Sequence, residues 1–150
     1  MQAAERQLSV ATELHFRDFD PIAIHTLTAA SDNVIRDLSK HAKAPLMAVK
    51  DYFPTTVAAN KRKDVSEWVN SFENFLKHAD RDPTGTIELD PNITESMLQD
   101  AWAQYERLGG TLSEAGKIFK LWCGNIKGDA PSSGCQTSSR AKASWEGTFL

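Results

Sequence analysis

Asp20-Pro21-Ile22-Ala23-Ile24-His25-Thr26-Leu27-Thr28-Ala29-Ala30-Ser31-Asp32-Asn33-Val34-Ile35-Arg36-Asp37-Leu38-Ser39-Lys40-His41 is the stretch whose reading decides the fold. Asp20 has the side chain of an N-cap, and Pro21 suits the first helical position, where its missing N–H would have no partner anyway. Ile24, Leu27, Ala30, Val34 and Leu38 then recur at helical spacing, with Ile35 alongside. Lys40 and His41 put positive charge at the negative end of the helix dipole. The spacing predicts a helix over 21–41, about 31 Å long, as the central element of the fold.

Working outward, Leu8, Ala11 and Leu14 give a helical pattern over about residues 3–17. On the other side Pro45 interrupts, and 46–53 has room for a short helix before Pro54. Asp64-Val65-Ser66-Glu67 has the spacing of a capping box. Val65, Trp68, Val69, Phe72, Phe75 and Leu76 follow it as a broad aromatic face. The segment 80–94 is polar and carries Pro83, Gly85 and Pro91. Within it Thr86-Ile87-Glu88-Leu89 alternates, as an extended segment would.

Thr94 is expected to cap a helix that runs to about Leu108, with Met97, Leu98, Ala101, Trp102 and Tyr105 inward, and Gly109-Gly110 to stop it. Ser113 is expected to start a last helix with Ile118, Phe119 and Trp122 inward, ending near Gly124. From Gly128 the chain becomes rich in serine and glycine, apart from Trp145, Phe149 and Leu150. The expected fold is therefore all-α. An irregular bundle of about five helices fills one domain over 1–127, and 128–150 is read as a disordered tail.

Bulk composition narrows the function. The 150 residues are 41% hydrophobic and 25% charged, with a net charge of −3, which are ordinary globular values. That charge argues against a strongly basic nucleic-acid binder, although Lys61-Arg62-Lys63 is a local basic run, read as a solvated loop. No window reaches the roughly 20 apolar residues of a membrane span, and the start of the chain is amphipathic rather than a signal core. Cys123 and Cys135 match no metal spacing and imply no disulfide framework. A reducing, cytoplasmic setting is expected, with no membrane partner and no cofactor.

Two clusters carry residues capable of chemistry, and both contain Lys-His-Ala. The first is Arg36-Asp37-Leu38-Ser39-Lys40-His41-Ala42, and the second runs from Asn74 to Pro83 and includes Lys77 and His78. Arg36 followed after four residues by His41 resembles the core motif of the HEPN superfamily, small helical bundles that include metal-independent ribonucleases. Asp37 stands where that family prefers a small polar residue, and the motif lies earlier in the bundle than is usual there. The resemblance implies RNA as partner and a homodimer that brings two motifs together. Arg36 would then hold phosphate and His41 would be the general acid or base, with Asp37 and Lys40 in support. The residue types fit that chemistry, because His exchanges protons near neutral pH and Arg stabilises phosphoryl charge. Arg36 and His41 equally suit helix-end ion pairs, which leaves a non-enzymatic protein-binding or regulatory domain as the alternative.

Other groupings are less specific. Asp80 to Glu88 resembles the first nine positions of an EF-hand loop, but Pro91 stands where the closing Glu belongs. His15, Asp18, Asp20 and His25 are metal-capable residue types without a metal-binding spacing, so no metal site is expected. The stretches around Ile24-His25-Thr26-Leu27 and from Asn74 to Pro83 also resemble a set of short, uncharacterised all-helical bacterial proteins, over about residues 5–122. That resemblance carries no activity. It favours one shared feature, a cavity ringed by His25, Arg36, His41, Lys77 and His78.

Overall fold

The structure is a computed structural model that describes residues 1–45, 56–78, 81, 84–128 and 141–144. Five α-helices appear among them: α1 (Gln2–Phe16), α2 (Pro21–His41), α3 (Arg62–Lys77), α4 (Pro91–Arg107) and α5 (Glu114–Gly128). A short strand β1 (Thr86–Leu89) lies between α3 and α4, and β2 (Ala141–Ser144) pairs with it antiparallel. The fold is thus the all-helical bundle expected, and no described helix is long and apolar enough to cross a membrane. The expected short helix over 46–53 lies outside the described residues, as do 129–140 and 145–150.

The central helix forms where the sequence places it. Asp20 accepts a hydrogen bond from the Ile22 backbone N–H at 2.7 Å, and Pro21 opens the first turn. Its buried stripe, however, is rotated from the apolar reading. Ile24, Thr28, Ser31, Ile35 and Ser39 are buried, whereas Val34 is 37% exposed. The hydroxyls make this burial possible. Thr28 donates to the Ile24 carbonyl, Ser31 to that of Thr28, and Ser39 to that of Ile35, each at 2.8 Å. A hydroxyl bonded to its own helix carries little desolvation penalty, and its small volume lets neighbouring helices approach.

Three helix ends use one device. After α1, α2 and α4 a residue with positive φ is followed by a residue whose N–H reaches back five residues: Phe19 to Leu14, Ala44 to Ser39 and Gly110 to Tyr105. This Schellman arrangement satisfies carbonyls that a helix end leaves open. Gly109 stops α4 as expected, but Asp18 and Lys43 take the same backbone conformation at φ 54° without glycine's freedom.

Other expectations about helix starts and faces need correction. α4 begins at Pro91, capped by Asp90, which accepts from the Asn92 N–H at 2.9 Å. Thr94 is therefore a buried residue inside the helix and not its cap. α3 begins at Arg62, so Asp64 sits in its first turn rather than capping it, and Arg62 and Lys63 are helical rather than looped. Trp68 and Ile118, expected inward, are 59% and 55% exposed. Ser113 does accept from the Gly116 N–H at 3.3 Å at the start of α5, but that helix runs on to Gly128.

Two apolar clusters result. The larger lies between α1, α2, α4 and α5 and includes Leu8, Ile35, Leu98, Trp102 and Phe119. The smaller joins α3 to β1 through Phe72 and Leu89, with Ile22, Phe75, Leu76 and Ile87 packed around them. α3 is tied to α2 by a polar contact, Asn33 donating to Glu73 at 2.8 Å, and within α3 Lys77 donates to the same carboxylate.

Candidate functional site

The smaller cluster does not fill its space. A cavity of about 370 Å³ opens between α2, α3, β1 and α4. Its apolar walls are Trp68 and Phe72 from α3, Ile87 and Leu89 from β1, and Ile93 and Met97 from α4. Each element contributes through its local periodicity. On β1 the alternation turns Ile87 and Leu89 inward and leaves Thr86 and Glu88 exposed. On α3 the four-residue step stacks Trp68 above Phe72, and on α4 it stacks Ile93 above Met97.

The polar centre of this cavity is His25. It is 3% exposed, one turn into α2, and shares a 3.0 Å hydrogen bond through Nδ1 with Thr94 Oγ1, itself 4% exposed. Its ring meets Phe72 edge-on, with centroids 4.7 Å apart. The hydrogen bond joins α2 to α4, and the ring contact joins α2 to α3, so the imidazole orientation is fixed from two sides. Ser71, Asn92 and Ser96 also line the cavity, with Glu88 and Asp90 along the β1–α4 edge; no Lys or Arg is among the described residues of the lining. Asp90 is already engaged as the cap of α4.

A second cavity of about 340 Å³ lies between α4 and α5, against Trp102, Leu112, Phe119 and the buried Cys123. Lys120 and Glu106, a 2.9 Å ion pair, also line it. That pair holds the two helices together at its edge. Nearby, His15 is ringed by Phe16, Phe119 and Trp122, with centroids 5.2–5.7 Å away. Burial among these rings holds its pKa below the ordinary histidine value, partly offset by Glu95 and Asp18.

The residues singled out in the sequence are dispersed. Arg36 is half-buried on α2 and His41 is exposed in its last turn. Their five-residue step places them about 140° apart around the helix. Asp37 and Lys40 pair with each other at 3.3 Å on the surface. Lys77 pairs with Glu73, and His78 caps α3. Of the five residues expected to ring one cavity, only His25 lines either of the two cavities described. Along α2, His25 lies about 16 Å from Arg36 and about 24 Å from His41.

The cavity walls escaped the sequence reading because Trp68, Phe72 and Met97 read as core, and Thr86–Leu89 read as an isolated extended piece. The available signal was His25 itself, a histidine in the middle of an apolar stripe. Among the described residues, no group of three or more His, Cys, Asp or Glu is arranged to hold a metal ion. Asp80, Asp82 and Pro83 of the EF-hand-like stretch lie outside the described residues, as does Cys135. Compared with protein-family models, curated proteins and solved structures, the chain matches none.

Proposed function

We propose that this protein is a non-enzymatic binding domain that holds a small, uncharged, apolar molecule between α2, α3, β1 and α4. The observation that carries the reading is the cavity of about 370 Å³ with aromatic and aliphatic walls and one buried, doubly anchored histidine. That size and lining are typical of small-molecule sites, in which a few fixed polar groups orient an otherwise apolar ligand. Charge selects the class of ligand. Among the described residues that line it, Glu88 and Asp90 are the charged ones and none is a cation, so an anionic fatty acid or phosphate fits this lining less well than an uncharged molecule. A hydroxyl or carbonyl on an apolar body would instead meet neutral polar side chains of the lining such as Ser71, Asn92 and Ser96. The second cavity supports this role less well, because its lining carries both members of the Lys120–Glu106 pair.

The test is titration with a matched set, 3-phenyl-1-propanol, 3-phenylpropanoate and 3-phenylpropylammonium, followed by amide chemical shifts and tryptophan fluorescence. Binding of the alcohol, with shifts centred on His25, Phe72 and Met97, is the expected result. Ser96→Phe, at an exposed position of the lining, should block it without unfolding the chain. No binding by any of the three would remove the reading. Preference for the anion would remove the charge argument. The nuclease reading rests on Arg36 and His41, and a second copy is needed to face them toward each other. Cleavage of end-labelled RNA in excess EDTA, lost in both Arg36→Ala and His41→Ala, would put that reading in place of this one.

A further inference from the structure

β1 is the thinnest wall of the cavity, and its outer edge is held by a segment remote in sequence. Ala141–Ser144 pairs with it in antiparallel register, Thr86 opposite Ser144 and Leu89 opposite Ala141. β2 also packs against α2. Removing β2 would leave β1 attached to α3 on one side and to α4 through Asp90. The strand that fastens this wall is built to be weakly held. Its residues are Ala, Lys, Ala and Ser, which are small or poorly suited to strands, and a two-stranded ribbon this short is marginal alone. It lies far from β1 along the chain, so pairing the two also costs the entropy of bringing distant segments together.

We propose that Ala141–Ser144 is a detachable strand whose docking on β1 is coupled to occupancy of the cavity. The inference rests on the ligand reading above. Ile87 and Leu89 contact the ligand only while β1 is in place, and β1 is held in place by β2. A bound ligand therefore favours the docked strand, and the docked strand favours the ligand by the same factor. The surface assigned here is the outer edge of β1, and its occupant is the chain's own C-terminal strand.

The experiment uses the full chain and 3-phenyl-1-propanol. In Lys142→Pro/Ala143→Pro one of the two prolines must face β1, since consecutive backbone N–H groups point to opposite edges of a strand. The double variant should retain the wild-type far-ultraviolet helical signal and bind the alcohol at least about fivefold more weakly, the lower end of ordinary coupling between sites. In the wild type, saturating alcohol should slow amide exchange at both Thr86–Leu89 and Ala141–Ser144, a readout that needs no variant. Unchanged affinity in the variant, or unchanged exchange at 141–144, would overturn the coupling while leaving the ligand reading intact. Absence of binding to the wild type would remove both. Protection of 86–89 that grows with protein concentration would overturn docking within one chain in favour of strand exchange between two copies.

Discussion

Trp102 and Trp68 mark two halves of this molecule that solve the same packing problem differently. Trp102, 3% exposed between α1 and α4, donates its indole N–H to Thr12 at 3.0 Å and lies edge-on to Tyr105. Around it Leu8, Ile35 and Leu98 have no measurable exposure. Trp68 is 59% exposed on α3, above a cavity that Phe72, Leu89 and Met97 border without filling. One half closes α1, α2 and α4 on each other around Leu8, Ile35 and Leu98, and keeps its open space, the second cavity, to the α4–α5 edge. The other joins one helix to a four-residue strand and leaves a space the size of a ligand. Close packing gives a unique, rigid structure, and an unfilled apolar space gives binding capacity at some loss of stability. The comparison teaches that the first half is a frame and that the second, on the binding reading proposed above, is the part mounted on it to take a ligand.

The largest expected effect comes from Leu98→Ala in the frame, a loss of about 3–4 kcal/mol, because Leu98 is fully buried and borders neither of the two cavities described. Phe72→Ala should cost only about 1–2 kcal/mol despite removing a larger side chain, since its surroundings already include open volume. Urea denaturation of the two variants tests the comparison, and a greater loss for Phe72→Ala would break it.

Next in size is Gly110→Ala. A Cβ there would collide with the Tyr105 ring, so the ring or the turn must move, at about 1–3 kcal/mol. Near-ultraviolet circular dichroism should report the displaced tyrosine in the same variant. A smaller effect of opposite sign is expected for Lys43→Gly. Glycine relieves the left-handed backbone after α2 and should raise stability by about 0.5–1 kcal/mol, measured as a higher urea midpoint.

The last prediction concerns pH. Burial lowers the His15 pKa in the folded state, so the unfolded chain binds the proton more readily. The resulting contribution is fully present above the ordinary value of 6.5 and is lost as pH falls from there toward the lowered folded value, below which it levels off. Melting temperatures from pH 8 to pH 5 should fall through this window in the wild type and fall less in His15→Gln. A melting temperature that rises on acidification would place His15 in a different environment.

Much of the frame was legible. The Asp20-Pro21 start, the length of α2 and the Gly109 stop follow from capping and backbone chemistry, which act within a few residues. The buried face of α2 was less so. A hydrophobicity pattern favours Val34 over Thr28 or Ser31, and it does not register that a hydroxyl bonded to its own helix can be buried. The ends of α1 and α2 fell where they were expected, but the left-handed backbone at Asp18 and Lys43 was not foreseen, because no glycine announces it. For the site, His25 was named among the candidates, but Arg36 and His41 drew more attention because their spacing resembled a motif.

The sequence by itself determined what depends on near neighbours: five helices, most of their ends, the alternation of Thr86–Leu89 and the apolar content of each face. Tertiary structure alone decided which face of α2 is buried, that Trp68 borders a cavity, and that Ala141–Ser144 lies beside β1. These depend on how helices and strands far apart in the chain share volume. A hydrogen bond between His25 and Thr94, or an unfilled space between Phe72 and Leu89, exists only once α2, α3, β1 and α4 have met.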